Sequence, residues 1–262
     1  MAVRDPFSLE GKLSVVTGGL GLLGSAITKA LAESGSKVIV LDIDCSGGEK
    51  VSSDLRDTNH NIFYEKGDIT DFEKIKVNIE NLEKKYGNID VWVNNAYPRT
   101  EDWGDKLEVV KTESFRRDVD IQLNSYCICS NEIALRMAAR QEGSIISIAS
   151  IYGTVAPDFT IYEGTDMTTP AAYSAIKGGI IAYSKYLASY FRNDGLRINV
   201  VCPGGIYNNQ SEEFIKRYSG KTLLGRMAGP YEIAWPVVFL ASRAASYITG
   251  TTLMVDGGWT TI

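Results

Sequence analysis

Short apolar runs alternate along the chain with longer segments in which apolar residues recur every three or four positions. The runs are four to six residues long and rich in Val and Ile, which is typical of buried parallel strands. The longer segments have the period of amphipathic helices. The predicted strands are residues 13–17, 37–41, 62–65, 89–93, 144–148, 197–201 and 252–255. The predicted helices are residues 22–34, 48–56, 72–86, 112–140, 173–193 and 233–241.

This alternation predicts a parallel sheet covered on both faces, because parallel neighbours need crossover connections. We expect a doubly wound α/β fold with a seven-stranded parallel sheet. No composition shift, repeat or flexible linker divides the chain, so residues 1–262 are predicted to form one domain. Open sheets of this kind bind ligands at the carboxyl ends of their strands. The irregular stretches that follow strand ends are therefore predicted substrate loops, at residues 97–111, 152–171 and 204–229.

Composition and charge narrow the range of partners. The chain is 44% hydrophobic and 23% charged, as ordinary folded domains are. Its net charge is -5 and it has no basic stripe, which argues against nucleic acid and anionic membranes as partners. No apolar run approaches the roughly 18 residues that span a bilayer, and residues 1–10 lack the apolar core of a signal peptide. We expect a cytoplasmic protein.

The cysteines and the single histidine do not form a metal-binding pattern. Only Cys127 and Cys129 lie close together, whereas a structural zinc site needs paired cysteines or Cys/His clusters. Cys45, Cys202 and His60 are scattered. We expect reduced cysteines packed as small apolar residues, and no metal is predicted.

A glycine-rich turn joins the first predicted strand to the first helix. From Thr17 it reads T-G-x-x-G-x-x-G, with Gly18, Gly21 and Gly24. Glycines there can allow close approach to a pyrophosphate at the positive end of the helix dipole, although a simple tight connection is the alternative. Asp42 ends the second strand, where a carboxylate would accept hydrogen bonds from the adenosine ribose. The combination favours dinucleotide binding.

Asp42 also indicates which nicotinamide cofactor is bound. A 2′-phosphate would meet its negative charge, and neither Ile43 nor residues 19–23 include a Lys or Arg. NAD is therefore predicted in preference to NADP. Asp68, at the end of the third strand, is a candidate for the adenine edge, and a helix cap before Phe72 is the alternative.

A phenol and an ammonium group, Tyr173 and Lys177, lie four residues apart and so on one face of a helix. Free Tyr titrates near pH ~10, and a neighbouring Lys cation is expected to lower the pKa of Tyr173. Ser150 ends an apolar run and could add a hydroxyl to the same site. Such a pair is common on solvated helices, so its meaning depends on the other motifs.

Taken in order, these motifs resemble the short-chain dehydrogenase/reductase family of the single-domain type, over residues 11–260. The resemblance implies a Rossmann-type fold and a homotetramer or dimer. It also implies that Tyr173 is the general acid or base, that Lys177 lowers its pKa and holds the nicotinamide ribose, and that Ser150 binds the reacting oxygen. The residues that carry it are Thr17, Gly18, Gly24, Asp42, Asp68, Asn94, Asn95, Ala96, Ser150, Tyr173, Lys177 and residues 199–204, 248–250 and 255–258. The implied cofactor contacts are Gly18, Gly21, Leu22, Leu23, Gly24, Asp42, Asp68, Ile69, Asn95, Ala96, Tyr173, Lys177, Pro203, Gly204 and Ile206.

Three single residues depart from the family pattern. Leu22 occupies the position of the middle glycine in the family's glycine motif. The resulting glycine spacing is similar to that of the two-domain branch of the superfamily. Tyr97 replaces the glycine of N-N-A-G. Gln122 stands where the family has an Asn of a proton relay, with Asn124 two residues on.

The region before Tyr173 is longer than usual, and this insertion within residues 152–170 is rich in Tyr, Thr and acids. We expect it to shape the substrate pocket, with a plain surface loop as the alternative. Arg99 could bind a phosphate or carboxylate unless it pairs with Glu101, and Trp103 could stack on a sugar ring. These features and residues 204–210 resemble a subgroup associated with flagellin modification and surface-glycan synthesis.

We therefore predict an NAD-dependent oxidoreductase that transfers a hydride between nicotinamide and an alcohol or ketone carbon. The predicted substrate is a polar, sugar-like or anionic small molecule, with residues 208–220 as a mobile lid. A catalytically impaired cofactor-binding scaffold or partner subunit is the first alternative, because of Leu22, Tyr97 and Gln122. A reductase of a steroid-like or acyl substrate is the second.

Overall fold

The computed structural model describes residues 5–43 and 61–261. Its strands are β1 (Leu13–Thr17), β2 (Lys37–Asp42), β3 (Ile62–Lys66), β4 (Val91–Asn94), β5 (Gly143–Ile148), β6 (Leu196–Pro203) and β7 (Thr252–Val255). All are parallel, in the order β3-β2-β1-β4-β5-β6-β7. The predicted seven-stranded parallel sheet is confirmed. Cys45, His60 and the helix predicted at residues 48–56 lie outside the described residues.

The helices are α1 (Leu22–Glu33), α2 (Phe72–Tyr86), α3 (Thr112–Asp118), α4 (Ser125–Arg140), α5 (Tyr173–Tyr190), α6 (Glu212–Ser219) and α7 (Pro230–Ala241). A π-helical turn, Val119–Asn124, joins α3 to α4, so the single helix predicted at residues 112–140 widens in its middle. There the Ser125 hydroxyl donates to the carbonyls of Ile121 at 2.6 Å and Gln122 at 3.1 Å. Such π turns occur often at functional sites.

No helix in the described part of the chain is long and apolar enough to cross a membrane.

Both faces of the sheet are buried, which explains why its strands are continuous apolar runs. Successive side chains point to opposite faces. Ile145 packs with Ile79 of α2, Ile133 of α4 and other residues on one face. Its neighbour Ile146 packs with Ile27 of α1 and the apolar side of α7 on the other face.

The strand order reverses at β1, which pairs with β2 on one side and with β4 on the other. Ligands bind at such a switch point in open α/β sheets. The Thr17 hydroxyl donates to the carbonyl of Val93 at 3.2 Å and accepts from the backbone N–H groups of Asn95 at 2.9 Å and Ala96 at 3.1 Å. This one side chain therefore fixes the carboxyl ends of β1 and β4 relative to each other.

Several predicted boundaries differ from the structure; the helix predicted at residues 173–193 ends at Tyr190, and the strand predicted at residues 197–201 spans Leu196–Pro203. The strand predicted at residues 89–93 spans Val91–Asn94, and just before it the Asp90 carboxylate accepts from the N–H of Leu13 at 2.9 Å. Helix α6 lies inside the stretch 204–229 that was predicted as a loop. Helix α7 begins at Pro230 rather than at residue 233, since the Glu232 carboxylate accepts from the N–H of Gly229 at 2.9 Å and caps the turn.

Candidate active site

A cleft of about 1070 Å³ opens along the carboxyl ends of the strands at the switch point. All residues that the sequence indicated for the cofactor and for catalysis line this cleft. They are Gly18, Gly21, Leu22, Leu23, Gly24, Asp42, Asp68, Ile69, Asn95, Ala96, Ser150, Tyr173, Lys177, Pro203, Gly204 and Ile206. The fold thus brings together residues that are far apart in sequence.

At two positions of the glycine turn before α1, backbone atoms lie so close that only glycine fits. Gly18 has a φ of +63°, and a Cβ there would lie 2.6 Å from the Cα of Ala96. A Cβ on Gly24 would lie 2.1 Å from the carbonyl oxygen of Gly18. The Asn95 amide donates to the carbonyls of Thr17 and Gly18 at 3.0 Å each and holds the turn in place.

Gly21 differs from these two glycines because it lines the cleft and a Cβ there would have space. The nearest atom to a Cβ at Gly21 would be the Gly18 carbonyl oxygen at 3.5 Å, an ordinary contact. Gly21 is also the N-cap of α1, and no side chain caps this helix end. The first N–H groups of α1 therefore face the cleft, in an arrangement that fits a pyrophosphate.

Two carboxylates lie at the β2 and β3 side of the cleft. Asp42 ends β2, and one of its oxygens accepts from the N–H of Leu20 at 3.1 Å. Asp68 accepts from the N–H of Thr70 at 2.8 Å and from the Thr70 hydroxyl at 2.7 Å. The N-cap of α2 is Asp71, so the capping alternative for Asp68 is wrong.

Ser150, Tyr173 and Lys177 meet at the other side of the cleft. Ser150 follows β5 and is within hydrogen-bonding reach of the Tyr173 phenol, the first side chain of α5. One turn further along α5, the Lys177 side chain is buried and its Nζ donates to the carbonyl of Ile148 at 3.1 Å. A hydroxyl, a phenol and an ammonium group therefore surround one point of the cleft.

Burial controls the protonation of this pair. It lowers the pKa of Lys177 to about 8, and it raises the pKa of Tyr173 despite the opposing hydrogen bond with Ser150. The lowering of the Tyr173 pKa expected from Lys177 is therefore not seen in this structure. The reason is geometric: the Lys177 Nζ lies 5.6 Å from the centre of the Tyr173 ring and donates to Ile148 instead.

Gln122 lies in the π-helical turn and is 2% exposed. Neither atom of its amide has a hydrogen-bond partner among the described residues. Asn124, in contrast, is exposed and donates to Asp120 at 2.9 Å. Of the two amides considered for the relay, only Gln122 is in the interior, and buried polar groups of this kind usually bind ordered water.

The insertion before Tyr173 and the segment around α6 pack together as one lid. Ile161 and Tyr152 are buried against Phe214 of α6, and the Tyr162 ring stacks on Phe214 at 5.5 Å. Asp158 pairs with Lys221 at 2.8 Å, which lowers the pKa of Asp158 to about 2.

Six residues of the stretch that holds the insertion also line the cleft, so the plain surface-loop alternative does not describe it. They are Tyr152, Tyr162, Met167, Thr168, Thr169 and Pro170. Residues 208–220 were predicted as a lid, but the helix α6 within them was not predicted. Its signal was Ser211, whose hydroxyl accepts from the N–H of Phe214 at 3.4 Å as an N-cap, followed by two acidic residues in the first turn.

Charged side chains in the cleft lining are separated by sign. Asp42 and Asp68 lie at the β2 and β3 side, whereas Arg99, Arg117 and Lys177 line the remainder. None of the ion pairs found among the described residues includes Arg99, so its predicted alternative, pairing with Glu101, is not seen. The Arg99 guanidinium lies 5.4 Å from the centre of the Tyr97 ring.

Within residues 5–43 and 61–261 there is no group of three His, Cys, Asp or Glu side chains placed to hold a metal ion.

The chain is similar to known proteins along nearly its whole length. The family described as enoyl-(acyl carrier protein) reductase matches residues 21–260. Post-translational flagellin modification protein A of Campylobacter coli is 31% identical over 254 residues, which cover 96% of this chain and 99% of that protein. A 3-oxoacyl-(acyl-carrier-protein) reductase of Chlamydia muridarum is 34% identical over 260 residues, covering 95% of this chain and 98% of that protein.

Solved structures agree with these sequence matches. A gluconate 5-dehydrogenase from Burkholderia cenocepacia, in complex with NADP and tartrate, has a TM-score of 0.88 and 25% identity, covering 98% of both chains. A short chain dehydrogenase from Leptospira borgpetersenii with bound NAD+ has a TM-score of 0.86 and 32% identity, covering 99% of this chain and 97% of that chain. Proteins of this fold thus bind either nicotinamide cofactor.

Proposed function

The chain belongs to the short-chain dehydrogenase/reductase family, and on that premise we propose that it uses NAD and that Tyr173 is its general acid and base. As a member it is an oxidoreductase of CH–OH and C=O groups. One observation supports the proposal most strongly. Ser150, Tyr173 and Lys177 meet in a cleft whose other end has a glycine cradle and two carboxylates.

The residues present fit a nicotinamide dinucleotide. The cradle at Gly18 and Gly24 and the uncapped start of α1 would hold the pyrophosphate, and Asp42 would accept from the adenosine ribose hydroxyls. Lys177 would hold the nicotinamide ribose. When bound, the nicotinamide supplies or accepts the hydride, which leaves binding, orientation and proton transfer to the protein.

The preference for NAD rests on the charge of Asp42, and replacing this residue tests it. Asp42→Asn keeps an acceptor for the N–H of Leu20 but removes the charge that would repel a 2′-phosphate. We expect the ratio of kcat/KM for NADP to that for NAD to rise by about tenfold or more. Asp68→Asn is the control and should leave the ratio unchanged. Equal or better efficiency of the unmodified enzyme with NADP would contradict the assignment.

Proton transfer follows from the protonation of the site. Because burial raises the pKa of Tyr173, its phenol is protonated at neutral pH and can donate to a ketone oxygen during reduction. Ser150 would donate to the same oxygen and orient it. In the oxidative direction Tyr173 must first lose its proton. Gln122, whose buried amide has no hydrogen-bond partner among the described residues, would then take the place of the relay Asn and pass that proton on through water.

An anionic, hydroxyl-rich substrate agrees best with the part of the cleft beyond the cofactor residues. Arg99 and Arg117 line that part. The relatives include a flagellin modification protein and a gluconate 5-dehydrogenase in complex with tartrate, which is consistent with this class. The similarity to a 3-oxoacyl-(acyl-carrier-protein) reductase favours an acyl substrate as the second candidate.

Replacing Arg99 distinguishes these two candidates. Arg99→Gln should raise KM for carboxylated or phosphorylated sugars by roughly tenfold to 100-fold with little change in kcat, because a charge-assisted hydrogen bond is lost. Neutral polyols should be unaffected. Arg116→Gln is the matched control, since Arg116 is exposed and does not line the cleft. Turnover of 3-oxoacyl thioesters with an unchanged KM in Arg99→Gln would favour the acyl candidate.

The proposal also includes a cytoplasmic location and a homo-oligomer, a dimer or a tetramer. Helix α5 exposes Tyr186 and Tyr190, with 57% and 66% of their surface accessible. The Tyr186 ring packs on Tyr190 with centroids 6.0 Å apart, so the two form a continuous aromatic surface. A second copy of the chain would remove this surface from water.

A further inference from the structure

Tyr97 stands where the family pattern has a glycine, and its ring contacts both members of the catalytic pair. The Lys177 Nζ lies 5.4 Å from the centre of the Tyr97 ring. The Tyr97 and Tyr173 rings meet edge to face, with centroids 6.2 Å apart and planes at 85°. Both distances lie in the range of favourable cation–π and aromatic contacts.

Trp103 anchors this ring. Its indole N–H donates to the Tyr97 hydroxyl at 2.8 Å, and the two rings meet edge to face with centroids 5.7 Å apart. Trp103 is itself buried, and its ring also contacts Tyr173 at 6.2 Å. Although Tyr97 is 39% exposed, its ring is therefore held in place by Trp103.

The Lys177 ammonium has few other groups to stabilise its charge. No ion pair found in the described part of the chain includes it, and its hydrogen bond is to the carbonyl of Ile148. The titratable groups that face it are Tyr97, Tyr126, Tyr173 and the Cys202 thiol. The three tyrosine rings lie 5.4, 5.8 and 5.6 Å from the Nζ, and burial raises the pKa of Cys202 to about 11, so this thiol is neutral at neutral pH.

We propose that Tyr97 is a positioning residue that stabilises the charged form of Lys177 and fixes the ring of Tyr173, with Trp103 holding Tyr97 in place. Of the three rings around the ammonium, that of Tyr97 is the nearest. Tyr126 belongs to the core, where its hydroxyl donates to the carbonyl of Ala96 at 3.0 Å, and Tyr173 itself changes protonation during the proposed reaction.

Tyr97 also connects the pair to the substrate end of the cleft. The Arg99 guanidinium and the Lys177 Nζ each lie 5.4 Å from the centre of the Tyr97 ring, so the two cations are no more than twice that distance apart. A glycine at this position would leave both cations without this contact. The catalytic role of Lys177 rests on the proposed function. The stabilisation of its positive charge by the Tyr97 ring does not depend on that function.

Two substitutions of Tyr97 distinguish the effect of its aromatic ring from the effect of its side-chain volume. Tyr97→Phe keeps the ring, whereas Tyr97→Leu keeps an apolar side chain without the negative face that attracts a cation. The pKa of Lys177 can be followed by NMR in protein labelled with 13C at the lysine Cε, free of cofactor, with Lys177→Met identifying the signal. Lys177 should titrate near its lowered value of about 8, apart from exposed lysines near pH ~10.4.

We expect Tyr97→Leu to lower the pKa of Lys177 by a further 0.5 to 1 pH unit, roughly, and Tyr97→Phe to leave it within about 0.2 unit of the unmodified value. Turnover should follow the same order, with kcat reduced in Tyr97→Leu and restored in Tyr97→Phe. Trp103→Leu keeps Tyr97 but removes the indole that packs edge to face on its ring, so it should shift the pKa in the same direction by less. This variant tests the idea even if Tyr97→Leu does not fold.

Equal titration of Lys177 in the Leu and Phe variants would overturn the role of Tyr97. The titration needs no turnover, so its outcome is independent of the proposed function. If the pKa shifts as expected but substitution of Tyr173 leaves activity intact, the role of Tyr97 stands and the proposed reaction fails.

Discussion

Replacement of Tyr173 by phenylalanine is expected to lower kcat by about 10³-fold, within the range that general acid–base catalysis contributes. The substitution removes the phenol but keeps the ring, which packs edge to face on Tyr97 and on Tyr152 at 6.2 and 6.5 Å. The fold and the affinity for NADH should therefore change little. Steady-state kinetics together with a fluorescence titration of NADH binding measure both effects.

Tyr186→Phe is the matched control for this prediction, because Tyr186 lies on the same helix but is 57% exposed. It should retain full activity. The assignment of Tyr173 as general acid and base is wrong if Tyr173→Phe keeps more than about one tenth of the unmodified kcat.

Gly24→Ala is expected to damage the cofactor site and the fold together. A Cβ there would lie 2.1 Å from the carbonyl oxygen of Gly18 and 2.8 Å from the Asn95 amide nitrogen, so the turn must move. Forcing an extra methyl group into a packed site costs about 1–3 kcal/mol. We expect a loss of that size in the free energy of unfolding and a decrease in NAD affinity of at least about tenfold. Chemical denaturation and calorimetric titration with NAD measure the two quantities.

Gly21→Ala should separate these two effects. Its Cβ would meet nothing closer than 3.5 Å in the protein, so the free energy of unfolding should change by less than about 0.5 kcal/mol. The same methyl group would project into the cleft where the pyrophosphate is proposed to lie, so NAD affinity should still fall. Gly104→Ala, in open space away from the cleft, is the control for both. Unchanged NAD affinity in Gly21→Ala would contradict the proposed path of the cofactor.

The fold could be predicted because each strand is a local apolar run. Both faces of β1 and β5 are buried, so their sequences carry a signal that needs no knowledge of their neighbours. Helix α6 was missed for a physical reason. It is short, and its buried side chains, Phe214 and Tyr218, pack against the insertion rather than against the sheet.

The residues of the candidate site could be predicted from the sequence, whereas most contacts between their side chains could not. The glycines of the turn and Asp42 lie at strand ends. Because the carboxyl ends of the strands open into the cleft, the place of these residues in the sequence predicts that they line it. The stacking of Tyr162 on Phe214 joins distant segments, which no local pattern encodes. The raised pKa of Tyr173 likewise depends on burial by several elements, and reasoning from its neighbour Lys177 alone gave the wrong direction.

The most direct test of the account is transfer of deuterium from NADH that carries two deuterium atoms at C4 of the nicotinamide, so that either face delivers label. The protein would be incubated with labelled NADH and keto forms of sugar acids and sugar phosphates, and the products analysed by mass spectrometry and NMR. The account predicts one deuterium on the new carbinol carbon per NADH oxidised, with transfer reduced about 10³-fold in Tyr173→Phe. Tight binding of NADH with no deuterium in any product would contradict it and would identify the chain as a cofactor-binding scaffold.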